Sequence, residues 1–221
     1  MGVIIDPKEY GAGRELKSHK YDPIVISGPS GSGKNHFVAY AVSQDEIFHE
    51  AQGCTTRERR EGETNEMFFL SVEEFEELIQ NNQLIDFTIY DKNYYGTPLS
   101  EYDKLDDKRV IFNVTSDGGK VIKNDYRGTF LIYMLPPNRE ELLRRLGDRG
   151  QDRYTAGIKD VLNNASYYEY LLISSTQDLN KIYEDFLSVV DRKEDGKKKR
   201  MIEKSNSDFI KNFYSEGPGL N

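Results

Sequence analysis

The strongest constraint on this chain lies in residues 23–44. PIVISG (23–28) is a short apolar run rich in β-branched residues, and SGPSGSGKNH (27–36) follows it directly. The segment after Lys34, NHFVAYAVSQ, reads as a helix. Strand, glycine-rich turn and helix in that order carry the spacing Gly28-x-x-x-x-Gly33-Lys34. Glycines let successive backbone N–H groups turn inward onto an anion, and the helix N-terminus adds a favourable dipole. Lys34 places a charge where the outer phosphates of a nucleotide would sit. A flexible surface turn is the plainer reading of such glycines, and the flanking strand and helix argue against it. The nucleotide reading takes in Gly28, Ser30, Gly31, Ser32, Gly33, Lys34 and Asn35. Asn35 stands where a Ser or Thr hydroxyl ordinarily ligates Mg²⁺. An amide oxygen is also a hard ligand, so Asn35 is the expected metal contact and Mg²⁺ the expected cofactor.

The rest of the chain fits an α/β domain. RVIFNV (109–114) and TFLIYML (129–135) are continuous apolar runs of strand length, as in a parallel sheet buried on both faces. SVEEFEELIQNNQ (71–83) reads as a helix with Ser71 and Glu74 as a capping box. LIDFTIYDKNYYGT suggests two strands turning near Asp91 and Lys92. SDGGKVIK and NREELLRRLGDRG (138–150) read as helices, AGIKDVLNNASYYEYLLIS as a helix leading into a strand, and TQDLNKIYEDFLSVV as the last helix. Residues 1–22 read as an N-terminal extension and 193–221 as a charged tail containing KKKR at 197–200.

Composition narrows the partners. The 221 residues carry a net charge of −8, which argues against nucleic acid as the main partner. A small anionic ligand needs only a local cluster of cations. The single cysteine, Cys54, excludes a disulfide framework within the chain and suits a reducing compartment. No apolar run is long enough to span a bilayer, and a cytoplasmic location is expected. Monomer and dimer both stay open.

Further motifs follow in order. TTRERREGETNE (55–66), NYYGT (93–97) and FLIYMLPPNREELLRRLGDRG (130–150) resemble, together with the loop, the collinear motifs of guanylate kinases. The resemblance covers residues 23–192. It implies a P-loop NTPase three-layer fold with a parallel core sheet, an inserted nucleotide-monophosphate lobe (here 54–98) and a short lid (148–157). It implies transfer of the ATP γ-phosphoryl group to GMP or dGMP. Residue by residue, Arg57, Arg60, Glu63 and Tyr95 match the acceptor-phosphate segment, and Arg145 and Arg149 match arginines facing the donor phosphates. Asp86, Thr97 and Thr115 fall on acceptor base positions. Lys34, Arg57, Arg145 and Arg149 are the expected catalytic set.

The chain also departs from the pattern. The family's second phosphate-binding tyrosine falls on Met67 or Phe68, its two strand aspartates on Asn113 and Thr115, and a pocket serine on Gly53. Asp86 replaces a glutamate and is one methylene shorter. The lid-helix arginine gives way to Asp160-Val161-Leu162, and a donor-side asparagine falls near Ser174. Two readings therefore stay open: a nucleoside monophosphate kinase with altered base preference, and a catalytically weakened binding module. A kinase acting on nucleic-acid ends has only the basic tail in its favour.

Overall fold

The computed structural model describes residues 10, 20–59, 61, 67–103, 107–126, 128–147, 150–174 and 178–191. In chain order the elements are β1 (Ile24–Ser27), α1 (Lys34–Gln44), β2 (Phe48–Glu50), β3 (Gly53–Thr55), β4 (Met67–Phe69), α2 (Val72–Gln80), β5 (Leu84–Tyr90), β6 (Asn93–Pro98), α3 (Leu99–Asp103), β7 (Arg109–Asn113), α4 (Ser116–Asp125), β8 (Phe130–Leu135), α5 (Arg139–Leu146), α6 (Gly150–Asn164), β9 (Tyr170–Ile173) and α7 (Leu179–Val190). The larger sheet has the strand order β2-β7-β1-β8-β9, and a second sheet has the order β4-β3-β6-β5. By backbone contacts the chain divides into two units. One holds residues 1–25 and 45–129, the other residues 26–44 and 130–221.

The unit of 26–44 and 130–221 carries the glycine-rich loop. Every residue of β8 is buried, as its unbroken apolar run requires of a strand covered on both faces. β9 lies parallel to it, with Ile132 opposite Tyr170 and Leu135 opposite Ile173. Phe37 of α1 meets Phe186 of α7 edge-on, ring centres 5.4 Å apart. α6 starts earlier than the sequence suggested. It runs from Gly150, through most of the expected lid, rather than from the vicinity of Ala156. Tyr154 packs with Leu142, Leu146 and Ile158, so the apolar stripe continues a full turn upstream of Ile158 and carries the helix with it.

The unit of 1–25 and 45–129 holds the inserted lobe. β3 pairs parallel with β4 and antiparallel with β6, and β5 and β6 form a hairpin. The hairpin turns where the sequence placed it: Asp91 and Lys92 both have positive φ, 48° and 64°, the backbone twist that a two-residue hairpin loop favours. The Ser71 capping box is formed, with Glu74 N–H donating to Ser71 Oγ at 3.1 Å and Ser71 N–H to Glu74 Oε2 at 2.7 Å. Phe75 and Ile79 turn inward onto Cys54, Leu84 and Phe87. Tyr10 joins this core. Its ring meets Phe87 edge-on at 5.1 Å and its hydroxyl accepts from Leu84 N–H at 3.1 Å. The stretch read as a plain extension thus supplies a core side chain to this unit. β2, β3 and β4, each three residues long, are too short for their alternation to show in the sequence.

Candidate active site

The donor loop is shaped by backbone that only glycine adopts cheaply. Gly28 has φ 141°, and a Cβ there would stand 2.2 Å from the Met134 carbonyl oxygen of β8. No side chain fits that approach, so the loop can leave β1 flat against β8. Gly33, at φ 97°, makes the last turn before α1. Lys34 opens α1 and folds back on the loop, donating to the Gly28 carbonyl at 2.6 Å, the Pro29 carbonyl at 3.0 Å and Ser32 Oγ at 3.4 Å. Burial pulls its ammonium down to about 8, and the charge of Asp160 opposes the shift. Ser32 is fully buried, whereas Ser30 and Asn35 are exposed.

Arg145 braces this loop. Its Nη1 donates to Ser174 Oγ at 2.7 Å and to the Ser32 carbonyl at 3.3 Å, Nη2 to the Ser174 carbonyl at 3.0 Å, and Nε to Glu141 Oε1 at 2.7 Å. Ser174 in turn donates to the Ser32 carbonyl at 3.0 Å. Sequence reasoning named Arg145 for phosphate contact but did not foresee Ser174 as its anchor. A buried serine just past β9 carries no sequence signal of that role. Arg144 and Arg145 hold the Glu141 carboxyl well below the usual carboxylate range, Arg144 contributing most. Asp160, where the resemblance led us to expect an arginine, accepts from the Tyr133 hydroxyl at 2.5 Å and from Asn164 Nδ2 at 2.7 Å.

In the other unit, β5, β6 and α4 bring the base-site positions together. Asp86 and Thr97 face each other across the β5–β6 ladder. Both are buried, at 3% and 2% exposure. Burial pushes the Asp86 carboxyl up to about 6, against the Thr97 hydroxyl and the backbone amide of Asp86. Its Oδ1 has no hydrogen-bond partner among the described residues. Thr115 caps α4, its Oγ1 accepting from Gly118 N–H at 3.2 Å. Asn113 donates to Glu50 Oε1 at 3.0 Å. The positions where the family pattern has carboxylates thus cap a helix and bond a neighbouring strand. Cys54 is held as a neutral thiol, pushed up to about 12 by burial and then by the Asp86 charge.

Arg57 and Arg59 both lie over the Phe69 ring, 5.2 Å and 4.6 Å from its centre. Neither Arg59 nor Phe69 was singled out by the sequence motifs. The Arg57 backbone N–H donates to Thr55 Oγ1 at 3.3 Å, and Nη1 to the Glu58 carbonyl at 2.9 Å. Tyr95 is half-buried, its ring 6.5 Å from Tyr90. Arg60, Glu63 and Arg149 lie outside the described residues.

The guanylate kinase family model matches residues 20–193. A guanylate kinase of Mycoplasmoides gallisepticum is 34% identical over 180 residues, covering 76% of this chain and 90% of that protein. One from Prochlorococcus marinus is 36% identical over 148 residues, covering 65% of this chain and 80% of that protein. The crystal structure of guanylate kinase from Anaplasma phagocytophilum shares the fold, with a TM-score of 0.64 at 22% identity over 80% of this chain and 87% of that one. Glycine loop, parallel core sheet, separate four-stranded lobe and a match over most of its length lead to one conclusion: this chain belongs to the guanylate kinase family.

Proposed function

We propose that the chain transfers the γ-phosphoryl group of ATP to GMP or dGMP. The bond from the γ-phosphorus to the β–γ bridging oxygen breaks, an oxygen of the acceptor phosphate bonds to that phosphorus, and ADP leaves. The observation that carries this reading is the intact loop from Gly28 to Lys34, folded on β8 and braced by Arg145, within a chain matched to the family over residues 20–193. Phosphoryl transfer runs on positioning and charge stabilisation. Lys34 supplies charge at the transferring group. Arg145 and Arg149 serve the donor phosphates; Arg57, Arg60 and Tyr95 serve the acceptor phosphate, and Glu63 belongs to the acceptor nucleotide site. Asp86, Thr97 and Thr115 serve the acceptor base, Asp86 Oδ1 being a buried acceptor suited to a purine N–H.

Asn35 fits a role at Mg²⁺. Its amide sits exposed on the first turn of α1, beside Lys34. Among the described residues no group of three or more His, Cys, Asp or Glu is placed to hold a metal. That suits an ion whose shell is mostly phosphate oxygens and water. Mg²⁺ there would neutralise charge on the β- and γ-oxygens. No described helix is long and apolar enough to cross a membrane. With a buried free cysteine and an ATP-dependent reaction, we place the protein in the cytoplasm.

A second reading, a nucleotide-binding module without turnover, draws on Asn113 and Thr115, whose side chains bond Glu50 and cap α4. Coupled ADP release with ATP and Mg²⁺, run against ribo- and deoxyribonucleoside monophosphates, separates the two. Preferred turnover of GMP or dGMP is expected. ATP binding with no turnover of any acceptor would instead establish the module.

A further inference from the structure

We infer that Asp86 reads the acceptor base with one carboxylate oxygen, and that the chain therefore takes 6-oxopurine nucleotides generally, hypoxanthine as well as guanine. This rests on the function proposed above and specifies its substrate class. The two Asp86 oxygens have different surroundings. Oδ2 lies 2.3 Å from where a Cβ on Gly118 would stand, so it is backed against the first turn of α4 in space that only a glycine leaves open. Oδ1 is buried and has no partner among the described residues.

Guanine presents two adjacent donors, N1–H and the 2-amino group, whereas hypoxanthine presents N1–H alone. A carboxylate discriminates between them only if both its oxygens face the base edge. Here Oδ2 is directed at Gly118. The side chains that would otherwise meet the amino group are also diverted or missing: Thr115 Oγ1 takes the Gly118 N–H at 3.2 Å, and residue 53 is a glycine. Oδ1 and the N1–H form one matched acceptor and donor, which both bases satisfy. Transfer to inosine monophosphate would balance as it does for GMP, giving inosine diphosphate and ADP.

The test is calorimetric binding of GMP and of inosine monophosphate to the full chain, with turnover of each in the ADP-release assay. A hydrogen bond to a charged group is worth about tenfold to a hundredfold in affinity. One-oxygen reading therefore predicts dissociation constants for the two nucleotides within about tenfold of each other. A preference for GMP beyond about tenfold, or binding of neither, overturns the inference. Binding of both without turnover leaves it standing and sinks the kinase reading. Asp86→Glu adds the methylene that carries both oxygens past Gly118, and is expected to widen the GMP preference by at least about tenfold. An unchanged ratio in a folded variant contradicts it. If that variant does not fold, the wild-type ratio decides alone.

Discussion

The loop that carries Lys34 and the lobe that carries Asp86 manage their polar groups in opposite ways. Around the loop, backbone does most of the work. Three glycines at positive φ set its course, and Lys34, Arg145 and Ser174 all bond to loop carbonyls. In the lobe, side chains from separate strands and one helix N-terminus make the site, and a buried carboxylate keeps one oxygen without a partner among the described residues. Phosphates look the same in every nucleotide, so a backbone cradle can stay constant. Bases differ, and the side chains that read them can drift while the cradle is kept. The resemblance suggests that pattern for this chain: the loop keeps the spacing Gly28-x-x-x-x-Gly33-Lys34, and positions 53, 86 and 115 carry Gly, Asp and Thr.

The two regions should break differently. The largest effect is expected from Lys34→Ala, which removes charge at the transferring phosphoryl group. Turnover should fall by about 10²–10³ with little change in the KM for GMP, as steady-state kinetics will show. Near-wild-type turnover would remove Lys34 from the chemistry. In the lobe, Tyr10→Ala empties a buried ring position and a hydrogen bond. It should cost about 3 kcal/mol in denaturant unfolding and raise the KM for GMP more than that for ATP. Equal effects on both substrates would show that Tyr10 does not act through the lobe.

These contrasts also explain what was legible in the sequence. The turns at Gly28 and Gly33 were readable because positive φ at fixed spacing calls for glycine. The Ser71–Glu74 cap and the Asp91–Lys92 turn were readable because their chemistry is local. Gly118 against Asp86, and Ser174 beneath Arg145, join residues 32 and 29 positions apart. Nothing local marks either pair. Phe69 under Arg57 and Arg59 was equally hidden, because an aromatic in a three-residue strand reads as core. The start of α6 was misplaced because Tyr154 joins its stripe only through packing on α5.

Protonation sharpens the comparison at smaller amplitude. In free protein Lys34 titrates near 8 and Asp86 near 6. The kcat/KM for ATP should fall as pH rises through about 8, and that for GMP should fall as pH drops through about 6, since the ionised carboxylate accepts from N1–H more strongly than the neutral acid does. For stability the sign reverses at Asp86. Its folded value lies above the ordinary 3.8, so it contributes stability in full below about pH 4 and loses it as pH rises through about 6. The loss is on the order of 3 kcal/mol. Asp86→Asn should abolish that segment of the pH–stability curve, measured by urea unfolding; a curve parallel to wild type would place the titration elsewhere. The smallest effect is expected from Asn35→Ser, which restores a hydroxyl at the metal position. Turnover should stay within about threefold of wild type or rise, and a collapse would reveal a role for the amide beyond ligation.

The separation of donor cradle from base-reading carboxylate is tested most directly by measuring kcat/KM for ATP and for GMP side by side in Asp86→Asn at pH 7.5. With Oδ1 held by an amide that carries no charge, the GMP value should fall by at least about tenfold and the ATP value should match wild type. Equal loss for both substrates, or loss for neither, would contradict it.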